Sequence, residues 1–270
     1  MSEKNRMIIK WLNVAAFLVM LTVNALANIL PINGIGTGEV SDTLYPNLFA
    51  PAGLTFAIWG VIYLLLAVFI IFQAGSGKSA PREGDTIARK ISFWFILSSL
   101  ANAAWIFCWH YQLISLSLIL MLIIFLALLA IYAEIRLHNL SRLEKICVRL
   151  PFSVYFGWIT VATIANITAL LVGQKWNGWG LPETFWTVIA MAAGLLIGCA
   201  TTWLNRDLAY GLVFLWAYLG ILLKHLSAQG FAGQYPGLIA AAVVSLVLIM
   251  IILVLTAITP VKIKSDILQE

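Results

Sequence analysis

Residues 150–166 read LPFSVYFGWITVATIAN, from Leu150 to Asn166, and this stretch decides the kind of fold the chain adopts. With a helical turn every 3.6 residues, Trp158, Ala162 and Asn166 fall within about 80° of one another, and Tyr155 lands in the same stripe. The other faces carry Ile, Val, Phe and Leu. An amide and two amphipathic aromatics therefore share one side of a segment too apolar to face water. An unpaired amide is costly in hydrocarbon, so this side is expected to look into protein or a cavity.

The rest of the chain has the same character. Of its 270 residues 62% are hydrophobic and 10% charged, eleven are Trp, and the mean hydropathy is +0.99. A soluble domain of that composition would expose far too much apolar surface. The apolar runs are continuous and about 20 residues long, which suits a hydrocarbon core of roughly 30 Å. The alternating ten-residue pattern of an outer-membrane barrel is absent. The expected fold is all-α, a polytopic membrane bundle of eight spans near 9–30, 52–73, 91–110, 113–135, 149–172, 184–204, 208–226 and 236–259.

Charge sets the orientation. Fourteen Lys and Arg, among them Lys78, Arg82, Arg136, Arg149, Arg206, Lys262 and Lys264, fall on one side of these spans. Only Lys175 and Lys224 fall on the other. That asymmetry predicts cytoplasmic termini, and it explains the net charge of +5 without a nucleic-acid partner. The expected location is a bacterial plasma membrane. Three widely spaced cysteines give neither a disulfide framework nor a metal site. The first apolar run is too long for a cleavable signal.

Polar and aromatic residues recur on single helix faces elsewhere. Span two carries Phe56, Trp59 and Tyr63, and span three carries Asn102, Trp105 and Trp109. Trp109, His110 and Tyr111 read as an interfacial belt. Span four is almost wholly aliphatic and reads as lipid-facing. Asn24 and Asn28 stack one turn apart at the end of span one, as helix–helix hydrogen-bonders or ligand contacts. Between spans one and two, Pro31–Ala50 is long, holds the acids Glu39 and Asp42, and ends in aromatics, so a partly folded lid is expected there. Gly75–Lys90 is a solvated, basic linker.

These motifs resemble the tryptophan-rich sensory protein/translocator protein family. Tyr155-Phe-Gly-Trp158-(x)3-Ala162-(x)3-Asn166 is similar to its fifth-helix signature, with Val154 where the family has Pro. Pro51-Ala52 through Trp59 and Tyr63 resembles its second-helix element, with Ala52 in place of a second Pro. Asn102-(x)2-Trp105 resembles its third-helix motif, with Ser98 where the family has Gln. The resemblance covers residues 9–172 and implies a five-helix unit, often dimeric, that binds tetrapyrroles such as protoporphyrin or haem. It implies ligand contacts at Trp59, Tyr63, Asn102, Trp105, Trp158, Ala162 and Asn166. No cofactor is required on this reading, and the expected partners are membrane lipid, a small hydrophobic ligand and a second copy of the chain in a homodimer.

The chain thus divides into residues 1–172, the translocator-like unit, and residues 173–270, three further helices packed on it. In the sixth span Ala190, Gly194 and Gly198 form a small-residue ridge suited to close helix approach. Lys224 and His225 are placed to snorkel to the outer surface. Asn205-Arg206-Asp207 is an ion pair or helix cap. His110, His138 and His225 lie at helix ends on opposite sides, so an axial haem ligand lacks a candidate. The expected function is a binding, sensory or carrier protein. A secondary transporter is the alternative, and an intramembrane enzyme ranks behind it because no catalytic constellation is present.

Overall fold

The structure is a computed structural model that describes residues 3–30, 32–75 and 83–259. Pro31, Lys78, Arg82, Lys262, Lys264 and much of the Gly75–Lys90 linker lie outside the described residues. Eight long helices are described: α1 (Glu3–Ile29), α2 (Ile58–Ala74), α3 (Glu83–His110), α4 (Ile114–Arg136), α5 (Leu150–Gly173), α6 (Glu183–Asn205), α7 (Leu208–Leu226) and α8 (Pro236–Ile258). With the turns that lead into them, all eight are long and apolar enough to span a bilayer.

Local chemistry fixes where the helices begin. Ser141 and Glu144 form a reciprocal capping box ahead of α5, with Ser141 N–H donating to Glu144 Oε2 at 2.9 Å. The chain then widens into a π-helical turn over Lys145–Arg149, where Leu150 N–H reaches Lys145 O. Pro151 follows in the first turn of α5. It cannot donate a backbone hydrogen bond, and the wider turn shifts the bonding register just before it. Asp207 caps α7, accepting from Tyr210 N–H at 3.2 Å.

The bundle is built around α5, whose buried face runs from Pro151 to Ala169. Helices α2, α4 and α7 pack on it, and α3 joins α1 to α4. Gly157 allows the close approach of α7: a Cβ there would stand 3.1 Å from Val213 Cβ and 3.3 Å from Tyr210 O. The Ala190/Gly194/Gly198 ridge faces mainly α7. A Cβ on Gly194 would meet Tyr218 Oη at 2.7 Å, and one on Gly198 would meet the Phe214 ring at 2.6 Å. Ile164 of α5 touches the same ridge, so the last three helices close on each other and on α5 together.

Helix α4 departs from its sequence reading. Leu116, Ile119, Leu122 and Leu126 are exposed as lipid-facing residues should be, yet Ser117, Met121, Ile124 and Tyr132 are buried against α3 and α5. An aliphatic helix gives no periodicity by which to see its buried stripe, so composition alone hid it.

The end of the bundle where α1 begins and α8 ends, called here the terminal end, has a densely packed aromatic centre. Phe69, Phe95 and Phe152 pack edge to face, with centroids 4.9–6.0 Å apart. Asn13 Nδ2 donates to Gln73 Oε1 at 2.8 Å and to Ser92 Oγ at 2.9 Å. Asp207 accepts from Tyr132 and Ser153 hydroxyls and lies 3.7 Å from Arg149 Nε, so it is both cap and ion-pair partner.

Candidate functional site

At the opposite, lid end the helices splay around unfilled space. Phe56 and Trp59 enter it from α2 and the turn before it, Trp105 and Trp109 from α3, and Met121 from α4. Trp158, Ala162 and Asn166 enter from α5. Ser41, Ala50 and Pro51 of the first loop complete the lining. The cavity between these walls is small, about 40 Å³.

The aromatic rings set the shape. Trp59 meets Trp158 edge to face at 6.4 Å, Phe56 meets Trp158 at 5.8 Å, and Trp105 stacks on Trp109 at 5.5 Å. The indole N–H groups of Trp105 and Trp158 are buried and have no hydrogen-bond partner. A buried donor left unpaired costs about 1–3 kcal/mol. Asn166 engages Ser117 Oγ at 3.3 Å, a long contact.

Five of the seven residues singled out in the sequence therefore share one cavity: Trp59, Trp105, Trp158, Ala162 and Asn166. Tyr63 does not line it. It stacks on Trp59 at 5.6 Å and borders a second cleft, between α1 and α2, with its hydroxyl buried and unpartnered. That cleft is open, holds about 530 Å³, and shares Phe56 and Trp59 with the inner cavity as a common wall. Asn102 points elsewhere. Its Oδ1 accepts from Asn24 Nδ2 at 2.7 Å and its Nδ2 donates to Tyr155 Oη at 3.1 Å, which ties α1, α3 and α5 together. Asn24 is thereby a helix–helix hydrogen-bonder, as one sequence reading had it.

The lid is ordered by contacts that sequence spacing did not reveal. Asn47 holds its C-terminal part: its Oδ1 accepts from Ala50 N–H at 2.8 Å and Phe49 N–H at 3.2 Å, and its Nδ2 donates to Tyr45 O at 2.9 Å. The Tyr-Pro-Asn-Leu-Phe run was the available signal, since Asn readily bonds the backbone two or three residues on. Burial pushes the Tyr45 phenol pKa up, so it stays a neutral donor towards Gln112 O.

Trp109 and His110 are not an interfacial belt. Trp109 Nε1 donates to Thr37 O at 3.0 Å, and both residues are buried beneath the lid, whereas Tyr111 is exposed. His110 Nδ1 faces Ile32 O at 3.0 Å, which can only accept, so Nδ1 carries the proton and Nε2 accepts from Thr37 Oγ1 at 3.0 Å. Neither ring nitrogen is free to hold an iron.

The far side of the lid rests on α6 and α7. Lys224 does not snorkel outward; it is buried and pairs with Asp42 at 2.6 Å. His225 Nε2 donates to Leu48 O at 2.9 Å, Glu183 accepts from Leu48 N–H at 3.1 Å, and Trp216 Nε1 donates to Thr55 O at 2.9 Å. Ala52 N–H bonds Gly220 O at 3.0 Å. A Cβ on Gly220 would lie 2.0 Å from Thr55 Oγ1, so only glycine fits this crossing.

These contacts make α6 and α7 part of the cavity's support. A family model described as TSPO-like protein matches residues 10–258, which takes in all eight helices. No curated protein and no solved structure matches the chain. With that match spanning the lid, the aromatic cavity and the helices that brace them, the chain belongs to the TSPO-like protein family.

Proposed function

We propose that this membrane protein binds a flat, hydrophobic ligand carrying hydrogen-bond acceptors, such as a porphyrin, in the aromatic cavity at the lid end, and serves as its sensor or carrier. The observation that carries the reading is the pair of buried, unpartnered indole N–H groups of Trp105 and Trp158 in one cavity. Their donors call for acceptors, and the surrounding rings offer faces on which a planar molecule stacks. A metal-free ring or one coordinated from elsewhere suits the site, because His110 has both nitrogens engaged.

The gaps are too narrow for a whole porphyrin with the rings as they stand. Rotation of Phe56 and Trp59, the wall shared with the α1–α2 cleft, would join the two spaces and bring the Tyr63 hydroxyl into reach. No charged side chain lines either space among the described residues, which favours binding over ion-coupled transport. The crowding of cations at the terminal end supports a cytoplasmic placement of that end.

Direct titration of the purified protein with protoporphyrin, followed by ligand absorbance, tests the reading. Saturable binding by the wild type that weakens in Trp158→Phe, which keeps an aromatic ring but loses the N–H, supports it. Absence of saturable binding, or equal affinity in the two proteins, overturns the site as proposed.

A further inference from the structure

A second site lies at the terminal end. Arg136 closes α4, Lys145 and Arg149 sit in the π turn before α5, and Arg206 forms the corner between α6 and α7. All four line one open cleft of about 420 Å³. No carboxylate shares the lining. The acids nearby are engaged: Glu134 with Lys90 at 2.7 Å and His138 at 3.0 Å, Glu144 with Ser141, and Asp207 with Tyr132, Ser153 and Arg149.

Two of the cations are oriented by backbone carbonyls, and Arg149 in addition faces Asp207 at 3.7 Å. Arg149 Nη2 donates to Asn205 O at 2.8 Å, and Arg206, in left-handed backbone conformation at φ 50°, donates to Thr256 O and Thr259 O. Carbonyls orient a guanidinium and leave its charge intact. Arg136 and Lys145 are exposed and have no ion-pair partner among the described residues. Cations at this end of a membrane bundle are ordinary, but orientation alone does not require four of them around one cavity.

We propose that this cleft binds a phosphate-bearing anion, supplied by the headgroup of an anionic phospholipid. The lipid source is favoured by Leu204, which lines the cleft and is 73% exposed. It offers an acyl chain an apolar path beside the cationic pocket, at the depth where helices leave the hydrocarbon. Guanidinium and ammonium donors match phosphate oxygens, and basic pockets between spans are suited to anionic headgroups.

The test uses the full chain, purified in detergent, with dioleoylphosphatidylglycerol, dioleoylphosphatidylcholine or inorganic phosphate added. Thermal stability and lipid retention in native mass spectrometry are read together. Phosphatidylglycerol is expected to raise Tm and stay bound where phosphatidylcholine does neither. The Arg136→Gln/Lys145→Gln variant removes two exposed, unpaired cations, leaves Arg149 and Arg206 to their structural bonds, and should bind phosphatidylglycerol roughly tenfold or more weakly. Equal retention of the two lipids, or an unchanged affinity in the folded variant, overturns the site. A Tm rise with inorganic phosphate equal to that with phosphatidylglycerol keeps an anion site and overturns its lipid occupant.

Discussion

The two halves of the bundle solve the same problem differently. Both bury aromatic and polar side chains between membrane helices. At the terminal end, Phe69, Phe95 and Phe152 fill the centre, and Asp207 gathers Tyr132, Ser153 and Arg149. At the lid end, four tryptophans surround narrow gaps, and two of their N–H groups have nothing to bond. Dense aromatic packing confers stability, whereas unpaired donors lining a cavity leave energy to be recovered by a ligand. The difference is one of interior packing: aromatic rings fill the centre at the terminal end, while unpaired indole donors border a cavity at the lid end.

The sharpest way to break this contrast is at Asp207. Asp207→Ala strands a partly buried Arg149 and two hydroxyls and removes the α7 cap, so stability should fall by about 3–5 kcal/mol. Thermal unfolding in detergent measures it. Phe152→Ala should cost a similar ~3–5 kcal/mol, since its ring is fully buried between two others. If either variant keeps the wild-type Tm, the terminal end is not the filled half described here.

Gly194→Leu comes next. Its Cβ would crowd Tyr218 Oη, and overpacking of this kind costs about 1–3 kcal/mol. The expected result is a lowered Tm with porphyrin affinity retained in the folded fraction, because the crowding lies between α6 and α7 and away from the cavity.

Trp158→Ala and Trp105→Ala sharpen the comparison from the other side. Each removes a stacking surface and a donor, and each should weaken porphyrin binding by about 1 kcal/mol or more, several-fold in affinity. Their cost in Tm should be smaller than that of Phe152→Ala, because the rings border space that is already unfilled. Titration by ligand absorbance separates the two readouts. Trp176→Ala is the smallest expected effect. Trp176, in the loop between α5 and α6, meets Trp179 edge to face and packs at a tilt on Trp186 in the first turn of α6, outside the cavity, and affinity should be unchanged.

Much of this was legible in the sequence. Trp59, Trp105, Trp158, Ala162 and Asn166 were placed on inward faces by spacing and by the family resemblance, and they do meet in one cavity. Asn102 shares the same kind of stripe and yet is fully occupied by Asn24 and Tyr155. Its partners lie on other helices, 78 and 53 residues away, beyond the reach of helical periodicity. The pairing of Lys224 with Asp42 of the lid was hidden for the same reason, because the two are separated by 182 residues.

The sequence by itself determined eight membrane-spanning helices and, where a helix carries amides and aromatics as α2, α3 and α5 do, the side that turns inward, because hydrocarbon penalises an exposed amide or charge whatever the tertiary arrangement. It also determined the family, through short motifs confined to single helices. Only the tertiary structure decided which inward polar groups are satisfied and which are left open. Asn102 and Asp207 found partners on neighbouring helices, while the indoles of Trp105 and Trp158 did not. The physical reason is that a hydrogen bond depends on a partner atom within about 3 Å, and between helices that distance is set by packing.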